Sequence, residues 1–573
     1  MKKLYHATRF ITVDGHTYNP GELVRSDNDL PGLVRADIEQ MPVQQKKSCR
    51  QNEEAGAPRP EISVIITFHN QAKFVKDCLE GFIRQTVKVA YEIIAVVDNS
   101  TEDEVRYIKE NYPQVKVVEV GFGNANKARN AGIHYAIGNY ITFFDGDDYP
   151  FPLYLEKLKT TLDEHTEKDF AYARFEHELY GTEKGKLPRC NIFEWSETWA
   201  DYSPITNTPV MVRRHLCPAW DERLEIMQDA GFCLALKNKG LVGIHIREVL
   251  WHYRHHGASI WNTPNTNIKK DFAREILKKE YGMKEANAKV TFCSLISRDV
   301  VLDEYFAQIE HLGLPTETHW FIIVDASSEQ FVEKVKGYQK RYEKHFLSSR
   351  MFVTGGGELP YSRDFEERGL HIGNFIHMFI NQAAQKWGGS EYLFMVEDDT
   401  LVPDNSYKKL LPTMEAHKEA AYVSGIECGR GFTKHTGICW LEEDENEQVV
   451  RRIIPKMRRK GLRYIQGGGW YCWIGRIAHL KHFVERFPMK AIDGKMLGPD
   501  VLMVYDMSLI GMKSICDLSV QCKHYDERRK VWLDAEIGKG YDIKYHKEEQ
   551  SWKMTLSDIT DGVDEEFHKK NTV

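Results

Sequence analysis

Four short runs of β-branched and aromatic residues, each closing on polar or acidic side chains, constrain the fold more than any other feature. Ile62-Ser63-Val64-Ile65-Ile66 leads into Thr67-Phe68-His69-Asn70, and Tyr91-Glu92-Ile93-Ile94-Ala95-Val96-Val97 leads into Asp98-Asn99-Ser100. Val115 to Val120 is a third run; the fourth, Tyr140-Ile141-Thr142-Phe143-Phe144, closes on Asp145-Gly146-Asp147-Asp148. Runs without polar alternation are buried on both faces. Helical stretches such as Ala72 to Gln85 fall between them, so the pattern predicts a mostly parallel α/β sheet covered by helices. Ligands of such sheets bind beyond the carboxyl ends of the strands, which makes the closing residues the candidates for chemistry.

Near Lys289 the pattern restarts. Val290 to Ile296 is a strand, Trp320 to Val324 is another that ends at Asp325, and Tyr392 to Val396 ends at Glu397-Asp398-Asp399. This predicts a second, diverged copy of the same architecture. The expected organisation is a small β module over 1–45, a polar linker over 46–60, α/β domains over 61–285 and 286–527, and a charged terminal helix or tail over 528–573. In the β module, Tyr5 to Val13 and His16 to Val24 are strand-like around an Asp14-Gly15 turn. A packed decoration and a partner-docking module both fit it.

Three carboxylates within four residues at a strand end repel one another, and burying them unpaired is costly. An isolated D-G-D-D is more readily a solvated turn capping a helix. Its place after a buried strand, downstream of Asp98, favours a divalent cation. All-oxygen ligands suit Mg²⁺ or Mn²⁺, which in turn hold the phosphates of a nucleotide.

SVIITFHN, AVVDNSTED, NANKARNAGI and ITFFDGDDY together resemble the successive motifs of the family-2 glycosyltransferases with a GT-A fold, over about 200 residues from Glu61 to Trp261. The family usually has proline where Thr67 stands. The resemblance implies that Thr67 and Phe68 line the nucleotide pocket, that Asp98 bonds the base, and that Lys127, Arg129 and Asn130 border the donor. It gives Asp145 to the ribose or metal and makes Asp147 the principal metal ligand, with Asp148 sharing that role. DERLEIMQDAGFCLALKNKG resembles the family's acceptor-facing helix, with Gln228 replacing the usual Glu and Asp229 in the place of the general base. WHYRHHGAS resembles the late Y-R-x-H-x-x-S segment, which implies a phosphate contact for Arg254 and a metal or pyrophosphate contact for His256; His252 and His255 compete for that place. Inversion at the anomeric carbon is expected.

In the second copy, Asp325 matches Asp98 as a donor-side acid, and Glu397, Asp398 and Asp399 match the first acidic cluster, with Glu397 and Asp399 as metal ligands. Asp500 falls where Asp229 does, and His524 where His256 does. A second GT-A active site and a degenerate copy kept for packing or acceptor binding are the two readings, and the retained acids and histidine favour the first.

With a formal net charge of -7 and scattered cysteines that form no C-x-x-C pair, the chain reads as neither a general polyanion binder nor a disulfide framework. No apolar run is long enough to span a bilayer. A cytoplasmic protein is expected, taking a nucleotide-sugar, UDP-linked foremost, and passing a hexose or pentose to a hydroxyl on a glycan, a protein or hydroxymethylated viral DNA. Two sites would allow two successive transfers. A nucleotidyltransferase and a non-catalytic nucleotide-sugar or glycan binder are the competing classes; the glycine-rich basic loop of the former is missing from TFHNQAKF.

Overall fold

A computed structural model describes residues 3–7, 11–13, 16–18, 23–26, 33–35, 59–180, 192–205, 207–256, 266–285, 288–326, 328–354, 365–384, 389–426, 438–443, 449–453, 461–465, 467–486, 500, 503–504, 507–508, 510–526, 530–533, 541–546 and 551–556. Asp14-Gly15, nearly all of the expected linker and Gly498-Pro499 lie outside them. The chain divides into two compact units, Met1–Lys284 and Glu285–Val573. At the N-terminus Leu23–Ser26, Lys3–Ala7 and Leu33–Arg35 form a three-stranded sheet, and Ile11–Val13 pairs antiparallel with His16–Tyr18.

The main sheet of the first unit contains β1 (Ile62–Phe68), β2 (Tyr91–Asp98), β3 (Lys116–Val120), β4 (Tyr140–Asp145), β5 (Tyr149–Pro150), β6 (Phe170–Leu179), β7 (Val210–Arg213) and β8 (Gly243–His255). Their order is β5-β8-β6-β7-β4-β1-β2-β3. Strands β4, β1, β2 and β3 are mutually parallel, β7 runs antiparallel to both its neighbours, and β6 and β8 are parallel. Every residue of β1 is buried, as a central strand covered on both faces requires. Helix α1 (Ala72–Ile83) buries Phe74, Val75, Cys78, Leu79 and Phe82, one face of a 3.6-residue period. Helix α2 (Ala125–Tyr135) starts at Asn124, whose side chain accepts from the amides of Asn126 and Lys127. It lies close on β1: a Cβ on Gly132 would stand 2.3 Å from Ile65 Cγ2.

The second unit repeats this plan. Strands β9 (Ala288–Ile296), β10 (Thr318–Val324), β11 (Ser348–Val353), β12 (Ser390–Glu397), β14 (Ala420–Ile426), β15 (Cys472–Arg476) and β16 (Lys513–Gln521) stand in the order β11-β10-β9-β12-β15-β14-β16. Each occupies the place of its counterpart in the order β3-β2-β1-β4-β7-β6-β8, with the same chain order and the same parallel and antiparallel pairings. The small antiparallel pairing of β5 with β8 also recurs, between β13 (Thr400–Leu401) and β17 (Lys523–Asp526). The expected tandem α/β architecture is what the chain has.

The C-terminal reading needs correction. Within 528–573 the described residues are strands, not helix. Tyr541–His546 pairs antiparallel with Ser551–Leu556 in a five-stranded sheet that includes Ile438–Glu443 and Val449–Ile453. Tyr541, Ile543 and Tyr545 stand opposite Leu556, Met554 and Trp552 in register, an alternation of period 2 that the high charge of the segment hides. Among the described residues no helix is long and apolar enough to cross a membrane.

Candidate active site

The carboxyl ends of β1, β2 and β4 and the end of β8 bring the candidate residues of the first unit together. Gly146 is required between the two outer acids of D-G-D, because a Cβ there would stand 2.2 Å from Phe68 Cδ1. That close approach lays the ring of Phe68 under the turn and fixes the direction of Asp145 and Asp147. Thr67 Oγ1 reaches Asp145 Oδ1 at 3.5 Å.

Asp145 is held from the other side by Arg129, whose Nη2 donates to Oδ1 at 2.7 Å. The Arg129 guanidinium also donates to Asn126 Oδ1 at 2.9 Å and Gln228 Oε1 at 2.8 Å, and it lies 4.5 Å over the Trp220 ring. Arg129 therefore ties the strand-end acid to the first residue of α3 (Gln228–Asn238).

Asp147 points toward β8. Its Oδ2 lies 2.8 Å from His256 Nε2, and the imidazole packs 5.0 Å from Phe74 of α1. His256 Nδ1 is buried without a hydrogen-bond partner. Of the competing histidines, His252 pairs with Glu176 at 3.1 Å and His255 with His177 at 2.8 Å. Asp148 is buried and accepts from the Arg254 amide at 2.8 Å. Burial, reinforced by Asp147 and Asp145, pushes its carboxyl well above the usual carboxylate range. The Arg254 guanidinium reaches Glu178 at 3.2 Å and Asp77 at 3.1 Å, which leaves Nη1 as a buried donor with no partner.

Asp229 opens α3 behind Met227, which has the left-handed φ of 58°. Burial raises its carboxyl, Asp145 adds to this, and the Ala230 amide and Arg129 oppose it. A carboxylate raised in this way is a better proton acceptor than a free one.

Three candidates lie behind this group. Asp98 accepts at 2.6, 2.9 and 2.8 Å from the amides of Phe122, Gly123 and Asn124, so both its oxygens fold the loop into α2. Asn130 clamps the backbone of Trp220 through its side-chain oxygen and nitrogen. Lys127 is half-buried on the same helix.

Tyr253 stands first in the Y-R-x-H part of WHYRHHGAS but was given no role there. Burial and then the charges of Asp148, Asp147, Asp145 and Asp229 push its hydroxyl far above the ordinary tyrosine range. The odd-numbered residues of β8 form its own face with Trp251 and His255, and that period-2 pattern was the available signal.

In the second unit Asp325 accepts from the Thr354 hydroxyl at 2.8 Å. Glu397 closes β12. Asp399 and His524 approach to 3.9 Å between Oδ1 and Nδ1, with Thr400 and His524 paired in register. Asp398 accepts from the amides of Ser297 and Arg298 at 2.5 and 2.9 Å. Asp500 is half-buried, and its charge contributes to raising the buried Tyr422 hydroxyl.

Both units place acids at the carboxyl ends of the parallel strands of an α/β sheet. Residues 63–211 match the model of Glycosyl transferase family 2, and this segment is a family-2 domain. The YibD glycosyltransferase of Escherichia coli (strain K12) is 40% identical over 103 residues, covering 18% of this chain and 30% of YibD. Hyaluronan synthase of Pasteurella multocida is 26% identical over 280 residues, covering 46% of this chain and 27% of the synthase. The chain thus spans less than a third of the length of either relative. Among solved structures, Staphylococcus aureus TarS aligns over 87% of this chain and 86% of its own, at 14% identity and a TM-score of 0.33.

Asp147 and His256 Nε2 offer oxygen and nitrogen donors that suit Mn²⁺ or Mg²⁺, and the mutual repulsion of the acids fits a cation. Among the described residues no three His, Cys, Asp or Glu side chains converge as a metal-holding group. Two protein ligands, with phosphate oxygens supplying the rest, is the pattern such ions adopt at nucleotide sites.

Proposed function

We propose that the first unit transfers a sugar, hexose or pentose, from a nucleotide-sugar to an acceptor hydroxyl with inversion, and that Asp147 and His256 hold the Mn²⁺ or Mg²⁺ it needs. The observation carrying this reading is the contact between Asp147 at the end of β4 and His256 at the end of β8. Bound there, the ion would offset the charge that builds on the leaving diphosphate. Thr67 and Phe68 border the nucleotide, for which UDP is the first choice. Arg129 fixes Asp145. The acceptor oxygen bonds to the anomeric carbon as the bond from that carbon to the phosphate oxygen breaks, and Asp229 takes the hydroxyl proton.

The second unit, with its matching strand order, is a second nucleotide-sugar site in this reading, with Asp325, Glu397 and Asp500 at the corresponding places, and the chain makes two successive transfers. The likeness to a hyaluronan synthase favours a glycan acceptor over a protein or modified DNA. Buried thiols outside any disulfide, such as Cys78 and Cys293, favour a cytoplasmic setting.

Nucleotide-sugars screened for Mn²⁺-dependent release of the nucleoside diphosphate test this reading. Asp147→Ala is expected to abolish release by the first unit while the circular dichroism of the fold survives. Near-wild-type Mn²⁺-dependent release in that variant would remove it.

A further inference from the structure

The two acidic clusters occupy equivalent strand ends but meet different side chains. In the first unit β1 leads into Thr67-Phe68-His69-Asn70, and Asp147 contacts His256. In the second unit β9 leads into Ser297-Arg298, and this arginine turns back onto the cluster. Its Nη1 bonds Asp398, and its Nη2 stands 3.1 Å from Asp399 Oδ2. The two carboxylates are only 1% and 2% exposed.

One guanidinium therefore spans two adjacent buried aspartates. It offsets their repulsion, the electrostatic task that a divalent ion would otherwise perform. Asp398 is further fixed by the amides of Ser297 and Arg298 and by the Ser297 hydroxyl at 3.2 Å, so it is committed to this loop. An ion entering between Asp399 and His524 would have to displace the guanidinium from a buried charge pair, which strands a charge away from water.

We infer that Arg298 is the resident cation of the second unit and that its acidic cluster takes no divalent ion. Of Glu397, Asp399 and His524, the metal ligands expected from the sequence, Asp399 already pairs with Arg298, so the set does not fit a divalent ion. The inference rests on the proposed function only for the ion of the first unit, so the two fail separately.

Titration of the full-length chain with Mn²⁺, with free ion read by electron paramagnetic resonance, gives the stoichiometry. One ion per chain is expected, lost in Asp147→Ala and unchanged in Asp399→Asn. Arg298→Ala, which strips the cluster of its cation, is expected to raise the count to two. Two ions per wild-type chain, or a single ion lost in Asp399→Asn, would overturn the inference. No ion at all would remove the metal of the first unit and still support this reading of the second. If Arg298→Ala does not fold, the wild-type count and Asp399→Asn decide the matter.

Discussion

His256 Nε2 and Asp147 Oδ2 lie 2.8 Å apart although 109 residues of chain separate them. The pairing of β5 with β8, with Tyr149 opposite His252, delivers one to the other. In the proposed reading this carboxylate and imidazole are a ligand pair. Replacing His256 by alanine should raise the Mn²⁺ concentration for half-maximal activity by about tenfold or more, since even outer-shell changes at metal sites cost that much. Activity titrated against Mn²⁺ reads the shift, and an unchanged requirement would exclude His256 as a ligand.

Arg129 acts through Asp145 and Gln228. Arg129→Met removes charge-assisted hydrogen bonds at a nearly buried guanidinium, and stability should fall by about 2 kcal/mol. As a positioning residue it should lower kcat about 10–100-fold while the donor KM changes less. A large rise in donor KM at constant kcat would instead make it a direct donor contact.

Gly146→Ala places a methyl group where Phe68 already lies. Overpacking of this kind costs about 1–3 kcal/mol, and the turn must open to relieve it, which misaligns Asp147. Thermal unfolding and Mn²⁺-dependent activity should fall together. A variant of wild-type stability would show that the Phe68 ring yields freely.

Asp229 has its folded carboxyl raised, chiefly by burial. A raised carboxyl stabilises the fold below its unfolded pKa, and that contribution is lost as pH rises through the folded value. Above that folded value the ionised side chain costs stability relative to the protonated one. Asp229→Asn should melt higher than wild type at neutral pH, lose that advantage in acid, and lose transfer. A variant that melts lower at neutral pH would contradict this.

The strands were legible because a central parallel strand tolerates almost no polar residue. Ile62 to Phe68 is fully buried, as its composition implies. The acids at the end of β4 were legible for the converse reason, since clustered charge after a buried run requires compensation. Asp98 was harder to read. Its residue type marks a strand-end acid, but its partners are backbone amides of Phe122, Gly123 and Asn124, which carry no signature in sequence. Arg298 was missed for a similar reason: it becomes a partner of Asp398 and Asp399 only when β9 and β12 lie side by side. The C-terminal strands were misread because polar and charged residues at every second position look like a solvated tail until the register sets Tyr545 against Trp552.

The most direct measurement of the central claim is a structure of the chain crystallised with UDP and manganese. The ion is predicted to lie between the Asp147 carboxylate and His256 Nε2, with the diphosphate completing its shell. Asp147 and His256 still in direct contact, with the ion and the nucleotide bound elsewhere, would contradict it.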